Sequence, residues 1–412
     1  MVSDFNLKSQ GEDSLVMVRK IGYVMAYRKG HNNYGTSLQG LALLKKMQQI
    51  GCNVEIINYE KQLSLWDKFA YVVNALRCGE YKRLFRNSKR EKYRKKNSEY
   101  NRIIIDRTKA VDAYKGKKLI PFFKNYKGFA ALCAGSKNYD AVVVGSDQVW
   151  TPLSLPNKFF NLIFVDDSVR KIAYASSFGV SVIPEFQKKA TSAYLNRFYK
   201  IGVREQRGKE IVETLSKKTA MVVADPTLLL TSDEWIEQIS ENISESTESN
   251  IKESENTPYI FCYLLGSNPA GRHAALELQR KTGYRIISVQ HMDDFIPDAD
   301  GFGDVAPAAM DPNDFIRYIS RAAYVCTDSF HCSVFSTIFH RQFMTFYRFA
   351  KASAIGRNSR IDSLFAVLGI NREHIYDGDI SKIDSRIDWD TVEINLEKLR
   401  QESIEFLKEA LA

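Results

Sequence analysis

Residues 19–59 read RKIGYVMAYRKGHNNYGTSLQGLALLKKMQQIGCNVEIINY, and this stretch decides the architecture. RKIGYVMAY is a short apolar run rich in β-formers, followed by a Gly- and Asn-rich turn, GHNNYG. TSLQGLALLKKMQQIG then sets Leu38, Leu41, Ala42, Leu44 and Met47 at helical spacing, with Gly51 placed as a C-cap. NVEIINY is the next strand. Strand, helix and strand at this spacing predict a βαβ unit of a parallel sheet.

Working outward, residues 60–127 interrupt the pattern with helical sequence rich in Lys, Arg and Tyr, which predicts an insertion. The α/β series resumes with DAVVVGSD (140–147), KIAYASSFG (171–179), a helix from about Glu185, KIGVRE (200–205) and AMVVADPTLLL (220–230). Strands that stay apolar without alternation predict a sheet covered on both faces. Residues 232–257 turn to Ser, Glu and Asn and read as a helix end running into an exposed linker. A second series follows: strands PYIFCYLLG (258–266), YRIISVQ (284–290), AYVCTD (323–328) and QFMTFY (342–347), with helices near 270–282, 312–321, 329–340 and 359–368. Residues 389–412 form an amphipathic helix able to pack on either half. The expected fold is therefore α/β: two Rossmann-like parallel-sheet domains in a glycosyltransferase-B-like arrangement. The first spans 17–231 and carries the basic helical insertion (about 60–127); the second spans 258–388. Ligands should lie in the cleft outside the carboxyl ends of the strands.

Composition narrows the function classes. Of 412 residues, 44% are hydrophobic and 12% aromatic, enough for two cores. No apolar run approaches the roughly 18 residues of a spanning helix, and the polar start MVSDFNLKSQGEDS is neither a secretory signal nor a transit peptide. A cytoplasmic protein is expected. The six cysteines, at 52, 78, 133, 262, 326 and 332, form no CxxC pair and read as thiols in a reducing compartment. HExxH and EF-hand patterns and a Cys cluster are absent from the sequence, so no metal is called for. The net charge of +9 is uneven: residues 77–127 hold 18 Lys and Arg against five Asp and Glu. Such a block serves either as a solvated helical face or as a surface for an anionic partner. Nucleic acid is the weaker choice, because no nucleic-acid fold signature accompanies the charge.

Three strand-to-turn junctions are candidates for chemistry. In AYVCTDSFHCSVFS (323–336), Thr327, Asp328 and Ser329 supply capping side chains, and His331 falls in the first helical turn beside unpaired N–H groups. That is a place for a phosphate or carboxylate, and for a proton donor; a plain helix cap with a half-buried histidine accounts for the same spacing. HNNYGTS (31–37) offers Asn33 and Gly35 for close backbone approach, with Thr36 or Ser37 as cap. VVVGSDQVW (142–150) puts Asp147 at a strand end, as a base toward a sugar hydroxyl or as an N-cap. Arg204, after IGV, and Arg360, at the start of a helix, are suited to gripping a doubly anionic ligand or to surface ion pairing. DPTLLL (225–230) reads as a domain edge.

Together, NYGTSLQGLAL (33–43), VVVGSDQVW (142–150), AYASSFG (173–179), GVRE (202–205), DPTLLL (225–230), TDSFH (327–331) and SRIDSLF (359–365) resemble the polysaccharide pyruvyl transferase family, in the family's order and over roughly residues 19–370. The resemblance implies phosphoenolpyruvate as donor, with no further cofactor, and as acceptor a sugar of a cell-surface polysaccharide or its lipid-linked precursor. On that basis His331 and Asp147 are the expected catalytic pair. Ser329, His331, Arg204 and Arg360 would bind the donor, and Asn33, Tyr34, Gly35 and Ser146 the acceptor. The family usually reads SFHG where this chain has Cys332 after His331, which should narrow the pocket. A lipid-linked acceptor would give the basic block a use in salt-sensitive attachment to the inner face of the cytoplasmic membrane. The competing readings are a nucleotide-sugar glycosyltransferase on the same architecture and a non-catalytic basic binding protein.

Overall fold

The computed structural model describes residues 19–62, 65–79, 90–240, 257–290, 296, 301–348 and 358–412. Lys20–Val24 (β1), Asn53–Glu60 (β2), Phe123–Lys127 (β3), Ala141–Asp147 (β4), Arg170–Ser176 (β5), Lys200–Val203 (β6) and Met221–Val222 (β7) form one parallel sheet in the order β3-β2-β1-β4-β5-β6-β7. Tyr259–Tyr263 (β8), Arg285–Ser288 (β9), Tyr324–Thr327 (β10) and Gln342–Thr345 (β11) form a second parallel sheet in the order β11-β10-β8-β9. The two Rossmann-like halves are as expected. The Val-rich β4 is buried from Ala141 to Ser146, as a strand covered on both faces must be.

Around the first sheet lie helices Tyr34–Gln49 (α1), Leu65–Arg77 (α2), Ser98–Lys118 (α3), Phe129–Ser136 (α4), Glu185–Leu195 (α5), Gln206–Leu215 (α6) and Ser232–Ser240 (α7). Around the second lie Ala270–Thr282 (α8), Pro312–Arg321 (α9), Phe330–Ile338 (α10) and Ser359–Leu368 (α11), with Trp389–Leu411 (α12) closing the chain.

Three expectations about segments change. The stretch 60–127 is not wholly insertion, because Phe123–Lys127 pairs with β2 as the edge strand of the main sheet. Its basic residues are not all solvated either. Arg107 is buried, donating to the carbonyl of Ala308 at 2.7 Å and to that of Pro307, so α3 ties the first half to the second. Ser232–Ser240, read as a helix end opening an exposed linker, is a helix packed into the core. The Trp235 indole is fully buried, donates to Thr227 O at 3.0 Å and meets the Phe335 ring edge-on at 5.1 Å. One large apolar side chain outweighs eight mostly polar neighbours. The rest of that linker, 241–256, lies outside the described residues, as do 17–18 and 80–89.

The halves share one hydrophobic core. Tyr34 of α1 stacks on Phe315 of α9 with centroids 4.9 Å apart and donates to Met310 O at 3.2 Å. Helix α12 spans the seam: Asn395 donates to Leu368 O at 3.2 Å in the second half, and Arg400 Nε to Leu228 O at 3.0 Å in the first. In each sheet the direction of growth reverses at one point, between β1 and β4 and between β8 and β10. Crevices open beyond the carboxyl ends of strands at such points. The two face each other across the seam.

Candidate active site

The floor of the crevice is the end of β4. Gly145 has φ +147°, and a Cβ there would fall 1.9 Å from Tyr174 O, so only glycine fits. Asp147 follows at φ +80°, in the left-handed region that costs a non-glycine residue energy and that clusters at functional sites. The turn aims its carboxylate at α1: Thr36 Oγ1 donates to Oδ2 at 3.0 Å, and the Gln148 N–H to Oδ1 at 2.8 Å.

Arg204 comes from the end of β6 and is almost completely buried. Its Nη1 donates to Asp225 Oδ2 at 2.8 Å, its Nη2 lies 3.7 Å from Asp147 Oδ1, and its Nε lies 3.8 Å from Glu205 Oε2. Asp225 caps the short helical turn that starts at Pro226, accepting from the Thr227 N–H at 3.0 Å and its hydroxyl at 2.7 Å.

The second half supplies the opposite wall. Ser329 caps α10, and His331 stands in its first turn with Nε2 3.6 Å from Asp225 Oδ2. Its ring lies against Gly35 of α1, where a Cβ would come within 2.1 Å of Nδ1. The Phe330 ring carries Arg204 on one approach, 4.8 Å away, and Arg360 of α11 on another, 5.7 Å away. With its amide turned to satisfy both groups, Gln148 accepts from the two terminal nitrogens of Arg360 at 2.9 and 3.1 Å. Arg348 donates to Asp328 Oδ1 at 3.2 Å, and Asp328 in turn accepts from the N–H groups of Leu265 and Gly266, each at 2.7 Å.

Electrostatics make these groups one unit. Burial works to raise the Asp147 carboxyl, but Arg204, His331 and Arg360 outweigh it and hold it below the usual range. The same contest, won by His331 and Arg204, holds Asp225 far lower still. Arg360 is depressed, by burial first and then by the like charge of Arg204. Such a guanidinium gains from a nearby anion. The crevice is nevertheless not simply cationic, because Asp147, Asp225 and Glu205 stand among the arginines. Buried guanidinium groups need this compensation. Four donor positions still find no acceptor within hydrogen-bond distance: His331 Nε2, Arg204 Nε, Arg204 Nη2 and Arg348 Nε. A cavity of about 30 Å³ borders Arg204, Asp225, Phe330 and Arg360 and is otherwise lined largely by apolar side chains such as Val223, Leu364 and Leu368.

The structure thus brings Asp147, Arg204, His331 and Arg360 together, but not every expected residue faces the crevice. Tyr34 is packed between the halves, with burial pushing its hydroxyl well up; it is core, not acceptor wall. Ser146 is fully buried and donates to Ala175 O at 3.1 Å, within 3.4 Å of Asp225 Oδ2, so it stands behind the site. Gly35 meets the imidazole, and Asn33 caps α1 by accepting from the Thr36 N–H at 3.2 Å. Ser329 is spent on capping α10, its hydroxyl accepting from the Cys332 N–H at 3.5 Å. Cys332 is completely buried in the core, its thiol raised by burial, so it does not narrow the crevice. Asp225 was overlooked, as were Thr36 as a partner of Asp147 and Glu205 beside Arg204. The signal for Asp225 was in the sequence: an acid followed by Pro and Thr at the end of an apolar strand repeats the strand-to-cap pattern seen at Asp147.

A family model described as polysaccharide pyruvyl transferase matches residues 33–348 of this chain. The chain belongs to the polysaccharide pyruvyl transferase family. None of the curated proteins compared with it matches. Among solved structures, it is similar to UDP-GlcNAc 2-epimerase from Neisseria meningitidis, bound to UDP-GlcNAc, at TM-score 0.51 and 9% identity, over 95% of this chain and 99% of that one. UDP-GlcNAc 2-epimerase from Methanocaldococcus jannaschii follows at TM-score 0.49 and 10% identity, covering 92% of each chain. LpCGTa in complex with UDP follows at TM-score 0.46 and 9% identity, over 96% of this chain and 99% of that one. Identity this low speaks to fold alone, and the fold is glycosyltransferase-B-like. Among the described residues, no helix is long and apolar enough to cross a membrane.

Proposed function

We propose that this transferase moves the pyruvyl group of phosphoenolpyruvate onto two hydroxyls of one sugar, in a cell-surface polysaccharide or its lipid-linked precursor, forming a ketal. The observation that carries this reading is the set of buried donors on His331 and Arg204 without acceptors, facing each other across the seam next to Arg360. Leaving such groups unpaired costs free energy that an anionic ligand recovers, and phosphoenolpyruvate brings both a phosphate and a carboxylate.

In the mechanism, Arg204 and Arg360 hold the two anionic groups, and His331 delivers a proton to the methylene carbon. The adjacent carbon becomes electrophilic, and one sugar hydroxyl adds there and loses its proton. The carbon–oxygen bond to phosphate then breaks, and the second hydroxyl adds and loses its own proton. One proton enters and two leave, the second going to phosphate. Asp147 orients the attacking hydroxyl and receives a proton. Its carboxyl, held low by Arg204, gains basicity once the donor's charge occupies that arginine. Asp225 is a positioning residue that keeps Arg204 and His331 facing the donor.

The test is incubation with phosphoenolpyruvate and a panel of nitrophenyl and lipid-linked sugars. Phosphate release, with acceptor mass rising by one pyruvic acid less one water, is expected. The alternative, nucleotide-sugar transfer, draws on likeness of fold. Turnover of UDP- or GDP-sugars with no phosphate released from phosphoenolpyruvate would replace the proposal with it.

A further inference from the structure

Helix α2 is built inside out. Its polar Asn74 faces the protein, where it is buried, donates to Pro152 O at 3.1 Å and accepts from Gln187 Nε2 at 2.7 Å. Ala75 is buried beside it, but the largest apolar residues face water: Leu65 is 83% exposed, Trp66 80%, Phe69 61% and Leu76 56%. At helical spacing Leu65, Phe69, Val72 and Leu76 fall within roughly 60° of arc, with Trp66 flanking them. A helix that had only to pack on its own protein would be turned the other way.

The same helix forms a wall of a cleft of about 820 Å³. Arg28, Lys61, Lys68 and Lys158 line it, and among the described residues no carboxylate does. Gln148, the residue that receives Arg360, also lines it. The cleft therefore runs from α2 to the crevice described above.

We infer that α2 is a membrane-docking helix, which lays its apolar stripe into the interface of an anionic bilayer and so sets the mouth of this cleft against the lipid surface. Trp, Phe and Leu on one face with cations beside them is the pattern of helices that lie in the interface plane, and the cationic lining complements an anionic leaflet. A second copy of the chain is the poorer occupant, since a twofold contact across this face would bring the same cationic rim against itself. Docking stands independently of the chemistry. That the cleft admits the sugar of a lipid-anchored acceptor rests on the pyruvyl-transfer reading.

The experiment sediments the full chain with vesicles of phosphatidylcholine, with and without phosphatidylglycerol, and repeats this for the double variant Trp66→Asp/Phe69→Asp. The wild type should partition onto the anionic vesicles, less so at high salt. The double variant should lose about tenfold or more of that partitioning while melting like the wild type and releasing phosphate equally fast with a water-soluble nitrophenyl sugar. Wild type that stays in the supernatant with both vesicle types overturns the inference, as does a double variant that binds as well as wild type. A wild-type dimer that the double variant converts to monomer, with vesicle binding unchanged, also overturns it and assigns the stripe to a second copy. Absence of turnover with any acceptor would sink the chemical reading and leave the vesicle result standing.

Discussion

Gly35 and His331, 296 positions apart in the chain, are fitted closely to each other across the crevice. With a Cβ at position 35 placed 2.1 Å from Nδ1, the imidazole must swing away from Asp225 or the helices must part. Gly35→Ala is therefore expected to lower turnover by about 100-fold, the usual cost of displacing a reacting group by about 1 Å. Overpacking should cost about 1–3 kcal/mol of stability. Steady-state kinetics with a thermal melt checks both, and near-normal turnover would detach the ring's position from catalysis. Individual residues were readable in the sequence to different degrees. The imidazole, Asp147 and Arg204 stood out because each follows an apolar run, and Arg360 because it opens a helix. Tyr34 and Ser146 had the same local setting, and only their surroundings turned them inward.

Helix starts and strand ends form the next level. The amino ends of α1 and α10 converge from different halves, so capping residues sit beside the chemistry without taking part in it. Asn33 is the test case: its side chain bonds the Thr36 N–H, and Thr36 in turn bonds Asp147. Asn33→Ala is expected to cost about 1 kcal/mol, the usual loss of a cap. Its acceptor KM should stay near wild type, whereas a residue in the acceptor wall would raise KM without changing stability. Element boundaries followed the sequence closely where Gly, Pro and capping residues mark them, as for Ala270–Thr282 and Pro312–Arg321. Composition left the packing open where one side chain decides it, as Trp235 does for α7 and Asn74 for α2.

Across the whole molecule, the shared core and the long reach of α12 hold the two halves together around the crevice. The seam also carries a charge conflict. Asp311 and Asp314 form a reciprocal capping box at the start of α9, with N–H to carboxylate distances of 2.8 and 3.2 Å. Burial first, and then the charge of Asp311, raise the Asp314 carboxyl, although Arg317 opposes this at 2.7 Å. A carboxyl raised in the folded state binds protons that the unfolded chain does not. Its contribution to stability is full at acid pH and is lost as pH rises through the folded value. Asp314→Asn cannot ionise, so its melting temperature relative to wild type should be higher at pH 8 than at pH 5. A difference independent of pH would show that the pair carries no titratable conflict.

By itself the sequence determined the two parallel sheets, the placing of their elements and the chemical types at the strand ends, because apolar periodicity and capping residues act within a few positions along the chain. Only tertiary structure decided which of those strand ends meet. Asp225 holds Arg204 and His331 together, Tyr34 becomes core, and the apolar face of α2 is left toward water. Distance along the chain says nothing of such contacts. They are settled when two sheets bury one common core and their switch points are brought face to face.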